Sequence, residues 1–321
     1  MSTVSNRSEL LFIYDIRDGN PNGDPMDENK PRMDEETGVN LVTDVRLKRT
    51  IRDYLHNFKG LEIFVREIIY DEENGYIQDA KRRAKDFGED QERILSECID
   101  VRLFGGVIPL EKRRQNKQKD EGEGSSKGDS ITYTGPVQFK MGRSLHRVAL
   151  KHIKGTGAFA SKEGMTQATF REEYVLPYSL ILFYGIINEN AAKHTALTEE
   201  DVRLLLEGMW NGTKSLISRT KAGQVPRLLL KVNYSKANYH IGDLDRMIKL
   251  VSDVQHEAIR GPEDFCLDVS ALVSRLKAEK DSIRDLELCF DRQLRFVRDG
   301  AEFSMEKLNE ATGIAVNPIA F

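Results

Sequence analysis

ELLFIYDIRDGNPNGDP, residues Glu9 to Pro25, joins an apolar run to a stiff polar loop, and the fold turns on how that join is read. The run is rich in Leu, Ile, Phe and Tyr and is stopped by Asp18-Gly19. It is too short for a helix and predicts a buried strand. Behind it, Pro21 and Pro25 fix φ while Gly19 and Gly23 admit conformations closed to other residues, so the loop has a defined shape. It ends near Thr43 or Asp44, either a suitable N-cap. The next stretch, VRLKRTIRDYLHNF, places Leu47, Ile51, Tyr54, Leu55 and Phe58 on one helical face, with Lys48, Arg49 and Arg52 on the other.

LEIFVREIIY, Leu61 to Tyr70, alternates roughly apolar with charged and predicts a second strand. Helical pieces AKRRAKDF and QERILSECI follow within residues 71–100. Glu111 to Asp129 has no apolar face and the Gly, Ser, Lys and Glu content of an exposed excursion. ITYTGPVQFKMGRSL, Ile131 to Leu145, is strand-like, whereas Lys151 to Phe170 is loose. SLILFYGII, Ser179 to Ile187, is a strong strand. TEEDVRLLLEGMW follows as a helix with Thr198 and Asp201 at capping-box spacing and Leu204, Leu205 and Met209 as core positions. PRLLLKVNY, Pro226 to Tyr234, adds a strand, and the remainder predicts short helices and one strand, LELCFD at 286–291.

The predicted order is strand, helix, strand, long insertion, strand, helix, strand. This is the β-α-β-β-α-β order of an α+β, ferredoxin-like, RNA-recognition type sheet. The stretch between the second and third strands is too long for a plain connection and is expected to be built-out structure. The divisions that follow are 1–71 as a first half, 72–130 as an insertion, 131–178 as a return to the sheet with a second insertion at about 145–174, and 179–321 as the second half.

With 321 residues, 39% hydrophobic and 31% charged, the chain has the composition of a soluble protein with a highly charged surface. Cys98, Cys266 and Cys289 are too few and too far apart for a disulfide scaffold or a paired-cysteine zinc site. No segment is apolar enough to span a membrane and the N-terminus lacks the order of a secretory signal, so a cytoplasmic protein is expected. A net charge of −4 argues against a sequence-blind nucleic-acid coat, though not against a basic groove on an acidic body.

Several chemistries compete for the opening loop. Asp18, Asn20, Asn22 and Gly23 match the first half of a calcium loop, but Asn29 stands where its bidentate Glu belongs. Asp15, Asp18, Asp24 and Asp27 would converge on a divalent ion in a nuclease. Aspartates in Gly/Pro/Asn loops also simply cap turns. A long polar loop opening a helix beside Arg46, Lys48 and Arg49 suits a phosphate, or leaves a solvated basic face. His146, His152 and His240 have no companion at metal-ligand spacing, and no catalytic set resolves.

Five separated motifs then narrow the reading: ELLFIYDIRDGNPNGDP with NLVTDVRLKRTIRDY, VRLFGG at 101–106, GPVQFKMGRS at 135–144, and KAGQVPRLLLKVNY at 221–234. In this order they resemble the Cas-seven family, backbone subunits of the type I CRISPR interference complex (Cascade), most closely subtype I-B. The resemblance implies a hand-shaped protein with a ferredoxin-like palm, fingers around 72–130 and a thumb around 145–174. It implies copies stacked along CRISPR RNA, paired with target DNA, and joined by large, cap, small and RNA-processing subunits, with no cofactor, metal or catalysis. Family members meet the RNA backbone at positions aligned with TDVRLKR, so Thr43, Arg46, Lys48 and Arg49 inherit phosphate contact. Asn20 and Asn22 in the lead-in, Gln138 and Arg143 where the sheet enters the thumb, Lys154, Phe159 and Met165 in the thumb, and Lys214, Arg219 and Lys221 after the second palm helix complete the implied interface. A related branch, the type III backbone subunits, cuts target RNA with a loop aspartate. That metal-dependent endoribonuclease is the competing function.

Overall fold

The structure is a computed structural model that describes residues 2–109, 130–156 and 170–321. Strand β1 (Ser8–Gly19) lies between two antiparallel partners, and its side chains alternate between two cores. Leu11 and Ile13 face one, while Leu10, Phe12, Tyr14 and Ile16 face the other. Burial on both faces is why the run reads as continuously apolar.

The segment after β1 is more than the single loop expected. Strands β2 (Gly23–Asp24) and β3 (Lys30–Pro31) form a small hairpin, and β4 (Met33–Asp34) with β5 (Val39–Val42) returns to the edge of the main sheet. Helix α1 (Asp44–Asn57) then buries Leu47, Thr50, Ile51, Tyr54 and Leu55. Phe58, expected on that face, is 62% exposed, because it sits past the last turn and only stacks on Tyr54.

The strand expected over Leu61–Tyr70 is a correction. Only β6 (Ile69–Asp71) forms there, in an exposed hairpin with β7 (Tyr76–Ile77). Ile63 and Phe64 are adjacent and both buried, the first in the helix-side core and the second in a separate cluster with Phe87, Ile94 and Val101. That cluster is built from α2 (Ala80–Asp86), α3 (Gln91–Glu97), α4 (Ile99–Phe104), β8 (Gly105–Pro109) and β9 (Ser130–Thr134). Asp100, fully buried, ties it to α1: its carboxylate accepts from the amides of Phe64 and Val65 and from Arg52 Nε. Arg102 pairs in a fork with Asp201 across to the second major helix.

The strand that pairs beyond the next long strand comes instead from β10 (Val137–Phe139) and β11 (Gly142–Arg147). β12 (Lys151–Thr156) runs beside the first part of the long β13 (Phe170–Ile187). A short α5 (Glu189–Thr195) precedes α6 (Glu199–Lys214), whose start carries the expected Thr198–Asp201 capping box. Leu205 and Met209 are buried as expected, whereas Leu204 is only partly so. α6 lies against α1, and at Gly212 a Cβ would stand 3.0 Å from that of Tyr54, so the close approach favours glycine. β14 (Val225–Tyr234) completes the central order β14-β1-β13-β11.

The C-terminal part is richer than the single strand expected. β15 (Lys249–Val251), β16 (Cys266–Asp268), α7 (Ser270–Ala278), β17 (Ile283–Phe290), β18 (Phe296–Arg298), β19 (Ala301–Phe303), α8 (Leu308–Thr312) and β20 (Val316–Pro318) follow in turn. β17 and β20 extend the main sheet, and β15-β16-β18-β19 make a second sheet. Leu267, Leu272 and Phe296 share a core with Leu11 and Ile13, so this part covers the sheet face opposite α1 and α6. No helix among the described residues is long and apolar enough to cross a membrane.

Candidate nucleic-acid interface

The loop asparagines are spent on building the entrance to α1. Thr43 caps the helix, its Oγ1 accepting from Arg46 N at 3.2 Å. Asn22 Oδ1 in turn accepts from both Thr43 N and Thr43 Oγ1 at 2.9 Å. Asn20 is 2% exposed. Its Nδ2 donates to Asn29 O at 2.7 Å and its amide to Thr220 O at 2.7 Å, while its Oδ1 has no partner. Thr220 O comes so close to the chain that a Cβ on Gly19 would lie 2.8 Å from it. The end of β1 and the turn before β14 are thereby locked together beside the first turn of α1. Asn22→Ala removes the acceptor for both Thr43 groups and is expected to lower stability by about 1–2 kcal/mol, read as a shifted urea midpoint with unchanged slope.

The loop aspartates do not converge. Asp15 is buried and accepts from Tyr178 Oη at 2.8 Å and Arg227 Nε at 2.9 Å. Asp24 holds Arg32 at 2.7 Å and caps the Met26 amide, and Asp27 holds Lys30 at 2.8 Å. Asp18 is exposed at φ 48°. Among the described residues no three His, Cys, Asp or Glu side chains form a metal-ligand group.

The basic residues divide sharply by whether a carboxylate already answers them. Lys48 Nζ lies 3.0 Å from Asp44 and 3.1 Å from Gln138 Oε1, over the Phe104 ring. Arg49 pairs with Asp53 at 2.8 Å. Arg143 pairs with Asp34, Lys154 with Glu172 and Arg219 with Glu173. Lys214 is exposed at the end of α6, and Gln138 Nε2 is turned to Gly135 O. Phe159 and Met165 lie outside the described residues.

Arg46 and Lys221 are different. Arg46 is half-buried, its Nη2 donates to Thr50 Oγ1 at 2.9 Å, and its Nε has no partner. Asp53, the acid that acts on it, is held by Arg49. Lys221 is also half-buried and has no carboxylate partner among the described residues. Burial pulls both cations below their ordinary pKa ranges, and for Lys221 the charge of Arg46 adds to the effect. Half-buried like charges are unfavourable in the free protein, and Asp53, shared with Arg49, relieves Arg46 only in part, so an added anion beside them lowers the penalty. Beside them a groove of about 320 Å³ runs between α1 and the turn after α6, lined by Arg49, Thr50, Phe58 and Ser218 among others.

The structure thus brings together Thr43, Arg46 and Lys221, with Arg49 at the rim. It sets Lys48 and Gln138 on another side of α1. The sequence reading did not separate Arg46 from its basic neighbours, yet spacing carries the signal: Asp44 stands four residues before Lys48 and Asp53 four after Arg49, whereas Arg46 has Val42 and Thr50.

A family model described as CRISPR-associated protein Cas7 matches residues 6–270. A protein of Haloferax volcanii described as CRISPR-associated protein Cas7 is 35% identical over 307 residues, covering 91% of this chain and 89% of its own length. Among solved structures, a chain of a "CRISPR RNA-guided surveillance complex" superposes with a TM-score of 0.51 at 13% identity over 88% of each chain, a likeness of fold.

Proposed function

This chain belongs to the CRISPR-associated Cas7 family, and from that membership we propose that it is a non-catalytic backbone subunit of a type I Cascade complex. Copies line up along CRISPR RNA, hold its backbone without reading its bases, and present it to target DNA beside the other Cascade subunits in the cytoplasm. The central strand order β14-β1-β13-β11, with α1 and α6 on one face, supports the ferredoxin-like palm. In this reading the cluster around 72–130 is the finger and 145–174 the thumb.

The observation that carries the proposal is Arg46, in the first turn of α1, with Lys221, in the turn before β14, two half-buried cations that form no ion pair with a carboxylate among the described residues. Such a site suits a phosphodiester, and backbone contact is what a holder of arbitrary guides requires. The aspartates of the competing endoribonuclease reading support it further, since Asp15, Asp24 and Asp27 are each engaged elsewhere.

Titrating the purified chain with labelled RNAs of unrelated sequence at several salt concentrations tests this. Affinity is expected to be independent of sequence and to fall with salt. Removing both cations is expected to lower the log–log slope by roughly 1.4. A strong sequence preference, or an unchanged slope, would count against the site.

A further inference from the structure

His146 is 2% exposed, and the polar atoms around its ring all fix one protonation state. Nδ1 lies 2.8 Å from Arg147 O and 3.2 Å from His256 O. Both oxygens only accept, so Nδ1 carries a proton. On the other side the amide of Leu180 donates to Nε2 at 3.3 Å, so Nε2 keeps its lone pair. The imidazole is thus neutral, and it joins three segments: β11, β13 and the short turn His256–Ala258.

The sheet is built around this side chain. The β11–β13 ladder stops at Ser144 opposite Ile181, and the next amide of β13, that of Leu180, goes to the imidazole in place of a strand carbonyl. The β5–β11 register slips over the same stretch, where Ser144 Oγ accepts from Asn40 N at 2.9 Å and donates to His146 O at 2.7 Å. Irregularities of this type redirect side chains. The acids near the ring are already answered. β11 itself carries Arg143, paired with Asp34, and Arg147, paired at 2.8 Å with Glu257 of the turn, which also presents the His256 ring edge-on at 6.3 Å. β13 presents Tyr178, stacked at 5.7 Å, whose hydroxyl goes to Asp15, itself held by Arg227. β15 adds Lys249, exposed and opposite Asp268. Burial pulls the imidazole below its ordinary pKa range.

We propose that His146 is an acid-released latch, a neutral imidazole that ties β11 and the His256–Ala258 turn to the long strand β13 and lets them part when it takes a second proton. A proton on Nε2 sets N–H against N–H and creates a buried charge without a counter-ion, so the ring must leave its place for that charge to form. Leaving frees the Leu180 amide and the Arg147 and His256 carbonyls together, at the point where β11 runs on toward β12. The unfolded chain takes the proton at the ordinary histidine value of about 6.5, and the folded chain only below it. The latch therefore stabilises the fold fully above that value and progressively less as pH falls through it toward the lower, folded one. It does not depend on the guide-binding function proposed above.

Three measurements on the full chain test this. With nitrogen-labelled histidine, the imidazole shifts of His146 at neutral pH are expected to be those of the Nδ1–H tautomer and to titrate below the ordinary histidine range. Hydrogen exchange read by mass spectrometry, corrected for the intrinsic effect of pH, is expected to show segments 142–147, 178–182 and 255–259 losing protection at about pH 5.5 ahead of 228–234 in β14. In urea, between about pH 7.5 and about pH 5.5, the unfolding constant of wild type is expected to rise about tenfold more than that of His146→Phe, which keeps a ring against Tyr178 and cannot titrate. An Nε2–H tautomer, titration at or above the ordinary value, equal pH dependence of the two proteins, or protection lost evenly across the sheet would each overturn the latch. If His146→Phe does not fold, the two wild-type measurements decide alone.

Discussion

Replacing Arg46 by Gln together with Lys221 by Ala is expected to weaken RNA binding by about a hundredfold, as two charge-assisted contacts of roughly 1.5 kcal/mol each disappear. Lys48→Ala and Arg49→Ala, single changes in the same helix, are expected to weaken it less than about threefold, because Asp44 and Asp53 already answer those charges. The contrast separates a phosphate site from a merely basic helix face, which would lose affinity in proportion to charge wherever it is removed. Stability supplies a second readout of opposite sign. Arg46 and Lys221 repel one another in a half-buried setting, so neutralising both is expected to leave the RNA-free protein as stable as wild type or more stable by about 1 kcal/mol. Lost binding with a lowered melting point would instead mean that the pair is structural.

Legibility in the sequence followed local physics and failed where partners are distant. β1, α1, α6 and β14 announce themselves because their burial pattern repeats at the period of their own backbone. Leu61–Tyr70 imitates a strand by composition, but its consecutive Ile63 and Phe64 point into different cores, and the amides of Phe64 and Val65 go to Asp100 in place of a ladder. The strand that does join β13 lies in the stretch read as strand-like, Ile131 to Leu145, though it is split into β10 and β11 around Lys140 and Met141. The candidate site was half legible. Thr43 as cap and the basic start of α1 followed from spacing, whereas the meeting of Arg46 with Lys221, so far along the chain, required the fold. Asn20 and Asn22 proved to be ties holding the loop, which no local pattern distinguishes from ligand-facing amides.

Glu9→Ala is expected to be the most destabilising single change in this fold, by about 4–5 kcal/mol. Glu9 opens the same strand that ends at Gly19, and it is fully buried with no cation beside it among the described residues. Its carboxylate instead accepts from Tyr184 and Tyr234 and from the amides of Ile241 and Gly242, at 3.0 and 2.9 Å for the two amides. Truncation strands three of the four donors, the Ile241 amide keeping Tyr234 Oη at 3.1 Å, and leaves a void, and each unsatisfied donor costs roughly 1–3 kcal/mol before relaxation. Glu9→Gln keeps the volume but offers one oxygen and an amide that cannot accept, so about half the loss is expected. Urea unfolding of the three proteins measures the series, and equal midpoints would refute it. Because these contacts pin the 241–242 turn to the sheet far from Arg46 and Lys221, Glu9→Gln that remains folded is expected to bind RNA with wild-type affinity. A parallel loss of affinity would mean that β1 transmits strain along its length to the phosphate site, and the site would then depend on the whole strand, beyond its own residues.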